Sequence, residues 1–284
     1  MRSRTLLAAT SAALAAGAVL AAPPAAADPV GDGTPGASAR LIGGQPAPAS
    51  VTWTAALMYD APSHGVYDQT TCASAVVTGR WVITAAQCVA DLGIPGEIPA
   101  RDKTFHVRAG LDRTAGGATA NVTGTYINPH WTGEVHPPDE TGDIVLLRLD
   151  KRLDVQTVPI AHASPQPGQT VTTYSWGSDE PGPRTNPDDL PRMLQQLDLT
   201  VLPKQQCADA GISRGEFCTS HAHYTGPAYG DAGGPAIAYD RQGRPRLVGI
   251  DSRGGSSVPG ESNSAFTDVR YYETWIHETM VKNP

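Results

Sequence analysis

The chain has 284 residues, 40% of them apolar and 17% charged, which is enough for one large domain or a pair of small barrels. Its 30 glycines and 25 prolines interrupt it too often for long periodic helices, yet fall short of the composition that marks disorder. A formal net charge of −7 argues against nucleic acid as a partner.

The opening segment reads as a leader and not as part of the fold. Arg2 and Arg4 are followed by an apolar stretch from Leu6 to about Ala22 and by the small residues Ala25-Ala26-Ala27. This is the pattern of a secretory signal peptide over residues 1–27, too short and too rich in small residues for a membrane anchor. Its removal takes away Arg2 and Arg4 and moves the net charge from −7 to −9. No other stretch is long and apolar enough to span a bilayer as a helix, so a secreted, soluble protein without a membrane partner is expected.

Residues 28–40 are rich in Gly, Pro, Asp and Ser and read as a flexible propeptide ending at Arg40. Strand candidates then follow at short intervals: Val51 to Tyr59, Ser74 to Thr78, Trp81 to Ala86, Phe105 to Ala109 and Ile144 to Leu149. Thr170 to Tyr174, Leu197 to Leu202, Ala236 to Tyr239, Leu247 to Ile250 and Ala265 to Val269 continue the series. Turn clusters between them suggest an all-β sandwich or barrel pair. Ala161 to Gly168 reads as a linker between halves, and Glu180 to Pro191 as a surface loop. Near the end Tyr272, Trp275, Ile276 and Met280 share one helical face, the pattern of a helix docked on the barrel. Four cysteines allow three pairings. In an exported chain two local disulfides, Cys72–Cys88 and Cys207–Cys218, are the simplest proposal, with free buried thiols as the alternative.

Six segments, in order, resemble one family. Leu41-Ile42-Gly43-Gly44 after Arg40 is similar to the activation site of a trypsin-like serine protease. The segment from Trp81 to Cys88 resembles the one that carries the catalytic histidine, and Asp143 to Leu149 the one that carries the catalytic aspartate. Gly230-Asp231-Ala232-Gly233-Gly234-Pro235 resembles the nucleophile segment, Ser252-Arg253-Gly254 the strand lining the substrate cleft, and Tyr271 to His277 the terminal helix. The resemblance implies an all-β fold of two six-stranded antiparallel barrels, at about 41–160 and about 161–270, with a short helix at about 271–281.

The departures from that pattern decide the chemistry. Gln87 stands where the family has its histidine, and Ala232 where it has its serine; only Asp143 of the triad is kept. A methyl group has no lone pair with which to attack a carbonyl, and an amide has no pKa suited to a general base. None of the eight histidines lies in a matching segment. His136, on a Pro-rich loop before Asp143, is the nearest substitute base, but a base also needs a nucleophile. His221 and His223 have no evident third ligand and read as a solvated loop, so no metal and no cofactor are expected. With no imidazole to orient, Asp143 is expected to accept a hydrogen bond from Gln87.

Other parts of the pattern are retained. Leu41 and Asp231 could form the ion pair that follows cleavage after Arg40, and the N–H groups of Gly230 and Ala232 could form the oxyanion hole. The resemblance places the base of the specificity pocket at Gly226, where no aspartate lies, and puts a positive wall at Arg253. Asn121-Val122-Thr123 fits an N-glycosylation acceptor. The expectation is a monomeric pseudoprotease holding a peptide, inhibitor or protein in its cleft. The alternative is an active endopeptidase, as the fold alone would suggest.

Overall fold

The computed structural model describes residues 41–134, 139–178, 189–220, 225–254, 256 and 261–284. The leader, the propeptide with Arg40, His136, and the His221 and His223 pair all lie outside the described residues.

Six antiparallel strands close the first half into a barrel. They are β2 (Thr54–Ala61), β3 (Val66–Thr78), β4 (Trp81–Thr84), β5 (Thr104–Ala109), β6 (Ala118–Ile127) and β7 (Val145–Leu149). Around the barrel their order is β2-β3-β4-β7-β6-β5. Most of their inward side chains are Ala, Val, Ile and Leu. The strand that the sequence pattern misses is β6. There Ala118, Ala120, Val122, Gly124 and Tyr126 face inward in alternation with exposed Thr119, Asn121, Thr123 and Thr125. Its inward residues are mostly small, so its period-2 hydrophobic signal is weak.

The second half is also built from antiparallel strands: β8 (Thr170–Ser175), β9 (Gln195–Thr200), β10 (Glu216–Thr219), β11 (Pro235–Tyr239), β12 (Pro245–Gly254) and β13 (Ser264–Asp268). These are the six expected strands, and a seventh, β1 (Gln45–Pro46), joins them in a sheet of order β1-β9-β8-β11-β12-β13-β10. The added strand comes from the start of the first half and pairs with Gln195 and Gln196. Pro46 lacks an N–H and is tolerated there because β1 is an edge. A bridge between Val201 and Thr219 joins β10 to the residue after β9 and curls the sheet on itself. The start of the first half therefore contributes an edge strand to the sheet of the second.

One apolar cluster runs through both halves. It joins Leu57, Ile83 and Leu146 of the first to Trp176, Ile237 and Ile250 of the second. A smaller cluster inside the second half is built around Phe217 and Phe266, stacked with ring centroids 5.5 Å apart. The terminal helix α1 (Glu273–Lys282) buries Ile276 in the larger cluster, with Trp275 and Met280 packed against it. Disulfides join Cys72 to Cys88 and Cys207 to Cys218.

The two halves also meet through backbone. The N–H of Ala73 on β3 donates to the carbonyl of Ala232 at 3.0 Å, and the Thr84 hydroxyl donates to the Ala73 carbonyl at 2.7 Å. Gly233 sits against this junction with a positive φ of 79°. A Cβ at that position would overlap Thr84 Oγ1 and the Ala73 carbonyl. Gly233→Ala is expected to destabilise the protein by about 2–4 kcal/mol, from the backbone conformation and the overlap together. Thermal unfolding by circular dichroism checks this: the midpoint should fall by about 5 °C or more.

Candidate active-site cleft

Strand β4 ends in a single 3-10 turn, Ala86–Cys88, that carries Gln87 at its centre. The Cys72–Cys88 disulfide ties this turn to β3. Asp143 lies two residues before β7 and has no exposed surface. The turn aims both donors of Gln87 at it. The Gln87 backbone N–H reaches Asp143 Oδ1 at 3.0 Å, and Gln87 Nε2 reaches Oδ2 at 2.7 Å. The Ser252 hydroxyl, on β12, donates to the same Oδ2 at 2.7 Å. Gln87 Nε2 donates again to the Ser252 carbonyl at 2.7 Å. A carboxylate and a carbonyl both need donors, so the amide nitrogen faces them and only the acceptor Oε1 is left for other groups. Burial pushes the Asp143 carboxyl above its ordinary range, against the pull of these donors and of Arg253.

Ala232 faces the same cleft, a cavity of about 440 Å³ between the two halves. Its walls include Leu92 and Cys88 from the first half and Ala228, Tyr229, Ser252 and Gly254 from the second. Gly230 and Ala232 line it, and among the described residues nothing accepts from their N–H groups. Both are therefore available to a ligand atom. Among the described residues no histidine lines this cleft.

Behind the cleft Asp231 is buried. Its Oδ1 accepts from the Gly177 N–H at 2.8 Å and its Oδ2 from the Ala228 N–H at 2.7 Å. A Cβ at residue 177 would overlap that carboxyl, so glycine is needed for the close approach. Leu41 is fully buried with a φ of 63°, and Ile42 pairs with Gly226.

Two expectations for the cleft are corrected. Gly226 is not part of its lining: it is buried, and its N–H donates to the Ile42 carbonyl at 3.0 Å. The lining begins instead at Pro227 and Ala228. Arg253 lines the cleft but does not make a free positive wall. Its Nη1 meets Glu216 Oε1, while Nη2 donates to Glu216 Oε2 at 3.0 Å and to the Gly211 carbonyl at 2.8 Å. Burial alone would raise the Glu216 carboxyl, but the guanidinium and the Ser213 groups outweigh it and hold it low. Glu216 and Asp251, which also lines the cleft, are site residues that the sequence reading passes over. The signal for Asp251 was an acid directly after an apolar strand run.

The Trypsin family model matches residues 41–276. The chain belongs to the trypsin family. It is 28% identical over 273 residues to Kallikrein 1-related peptidase b16 of Mus musculus, covering 89% of this chain and 94% of that protein. It is 29% identical over 220 residues to Serine protease SP24D of Anopheles gambiae, covering 74% and 72%. Among solved structures it resembles mouse neuropsin, a serine protease expressed in the limbic system of the brain. That likeness has a TM-score of 0.67 and 25% identity, over 84% of this chain and 98% of the other. The trypsin-type scaffold thus accounts for the closed barrel, the second sheet and the cleft between them.

Two measurements follow from the buried polar groups. Gln87→Leu would remove two side-chain donors, taking this partner from the Ser252 carbonyl and leaving Asp143 Oδ2 with the Ser252 hydroxyl alone. A loss of about 1–3 kcal/mol in urea unfolding is expected. Burial also pushes the Asp231 carboxyl up to about 7 from an ordinary 3.8, despite the Ala228, Ser175 and Gly177 donors. Between those values the folded chain holds a proton that the unfolded chain has released, so stability falls as the pH rises. The loss reaches about 4 kcal/mol at most between about pH 4 and about pH 7. Unfolding midpoints across that window should decline steadily in the chain left uncut before Leu41.

Proposed function

We propose that this protein is a secreted trypsin-family pseudoprotease that holds a peptide, inhibitor or protein in its cleft without cutting it. One observation carries the reading: the amide of Gln87 occupies the place beside Asp143, and Ala232 presents a methyl group to the cleft. The family's chemistry needs a hydroxyl to attack and an imidazole to take its proton. Losing either group costs about 10⁶ in rate, with no further additive loss when both are absent. The N–H groups of Gly230 and Ala232 support binding, because these donors belong to the backbone and survive the side-chain changes. No cofactor is required by this reading.

Cleavage after Arg40 is part of the proposal. It would free the α-amine of Leu41 to pair with Asp231, which has no cationic partner among the described residues and an upward-shifted carboxyl in the uncut chain. Such a cut should flatten the decline of stability with pH.

Two proteins starting at Leu41 test the proposal, the natural sequence and the double variant Gln87→His with Ala232→Ser. Both are incubated with a diverse peptide library and with a fluorophosphonate probe. The expected result is cleavage and covalent labelling of the double variant alone. Cleft-dependent labelling or cutting by the natural sequence would return it to the active endopeptidases.

A further inference from the structure

Away from the cleft, three side chains able to ligate a metal come together where β2, β3 and β5 of the first barrel meet. Strand β5 pairs with β2 so that His106 stands opposite Met58 and Thr104 opposite Asp60. Alternation along each strand then puts His106 and Asp60 on the same face. The pairing of β2 with β3 shifts register between Tyr59 and Ala61. There Asp68 takes a φ of 50°, and its N–H donates to Asp60 Oδ1 at 2.8 Å. Its own carboxyl is thereby brought to the same point, with Oδ1 3.0 Å from His106 Nε2. One ligand atom from each of Asp60, Asp68 and His106 lies within 4.8 Å of the others. All three line a cavity of about 260 Å³ that shares no lining residue with the cleft.

The donors are mixed, which separates this site from a patch of surface acids. An imidazole nitrogen beside two carboxylate oxygens suits a divalent transition ion, whereas Ca²⁺ and Mg²⁺ take oxygen ligands. Two ligands held tetrahedrally on zinc at about 2.0–2.1 Å stand about 3.3 Å apart, close to the His106–Asp68 separation. The Asp68 side chain is 70% exposed and has room to adjust. A further oxygen is at hand. Asn121 stands opposite His106 on β6 and lines the same cavity. Its N–H and Nδ2 both donate to Asp150, at 3.0 and 2.9 Å, which leaves the acceptor Oδ1. The two cations in the cavity wall are engaged elsewhere. Arg108 Nη1 donates to the Gly116 carbonyl at 2.7 Å, and Lys151 acts on Asp150. Among the described residues, His106 is the one side chain that bonds either Asp60 or Asp68.

We propose that Asp60, Asp68 and His106 form a binding site for a divalent transition ion, Zn²⁺ above all, with the Asn121 amide oxygen beside it. The sequence reading expects no metal, because these ligands lie on three separate strands and share no motif. A bound ion ties the β2–β3 hairpin to β5.

The full secreted chain, freed of metal with a chelator, is titrated with Zn²⁺ and separately with Ca²⁺ by calorimetry. The expected result is one equivalent of Zn²⁺, bound at least about tenfold more tightly than Ca²⁺. His106→Ala and Asp68→Asn should each weaken Zn²⁺ binding at least about tenfold. Asparagine tolerates the positive φ at residue 68, so that variant keeps the fold. Zn²⁺ should raise the unfolding temperature of the natural protein and not of either variant. His221→Ala with His223→Ala controls for zinc held by that pair and should bind as the natural chain does. No Zn²⁺ binding, Zn²⁺ binding kept in both His106→Ala and Asp68→Asn, Ca²⁺ binding as tight as Zn²⁺, or loss of zinc in the control alone overturns the proposal.

Discussion

Asp143 is a carboxyl with no exposed surface, and the groups that satisfy it come from opposite halves of the molecule. Gln87 reaches it from the first barrel and Ser252 from the second sheet. The Thr267 hydroxyl, on β13, holds its backbone carbonyl at 2.9 Å. A charge placed at this depth would be intolerable without such donors. The cleft is thus organised around one acid that needs both halves in register. The same bonds that keep the fold together immobilise Gln87, whose amide hydrogens are both committed.

Glutamine suits this role better than a shorter or apolar side chain would. It spans from the turn to the carboxyl and the Ser252 carbonyl together, with two hydrogens on one nitrogen. Around Asp143 and the Ser252 carbonyl the site is internally hydrogen-bonded. Asp231 and Asp251 differ. Asp231 is held by backbone donors that only partly offset its burial. Asp251 has no donor among the described residues. The interior behind the cleft therefore grades from an acid with backbone and side-chain donors to one with none, and burial raises the carboxyl in all three.

Much of this could be read from the sequence because contiguous segments carry it. The strand from Trp81 to Thr84, the turn with Gln87, the Asp143 segment and the glycine-rich run around Ala232 are local patterns. What they bring together is then set by a known type of scaffold. The features that escaped depend on pairings far apart in the chain. Arg253 showed its charge, but Glu216, 37 residues earlier, is what neutralises it. Strand β6 hides because its inward side chains are small. Asp251 fell between the apolar run that ends at Ile250 and the cleft strand that the resemblance placed at Ser252 to Gly254, although one strand carries them all. The pairing of β1 with β9 rests on two residues, one of them a proline, with no periodicity to announce it.

Both termini of the described chain are anchored in the half to which they do not belong by sequence. At the start, β1 forms an edge of the second sheet. At the end, Ile276 joins the apolar cluster shared with the first barrel, and Arg148 of β7 bonds the carbonyl of Pro284. The molecule is laced at both ends, and the stretch from Ala161 to Gly168 is not a seam along which it separates. A gene divided there would yield two fragments, each missing a strip of its own surface and each carrying a strip that belongs to the other. They would be complementing pieces of a single folding unit, not two domains.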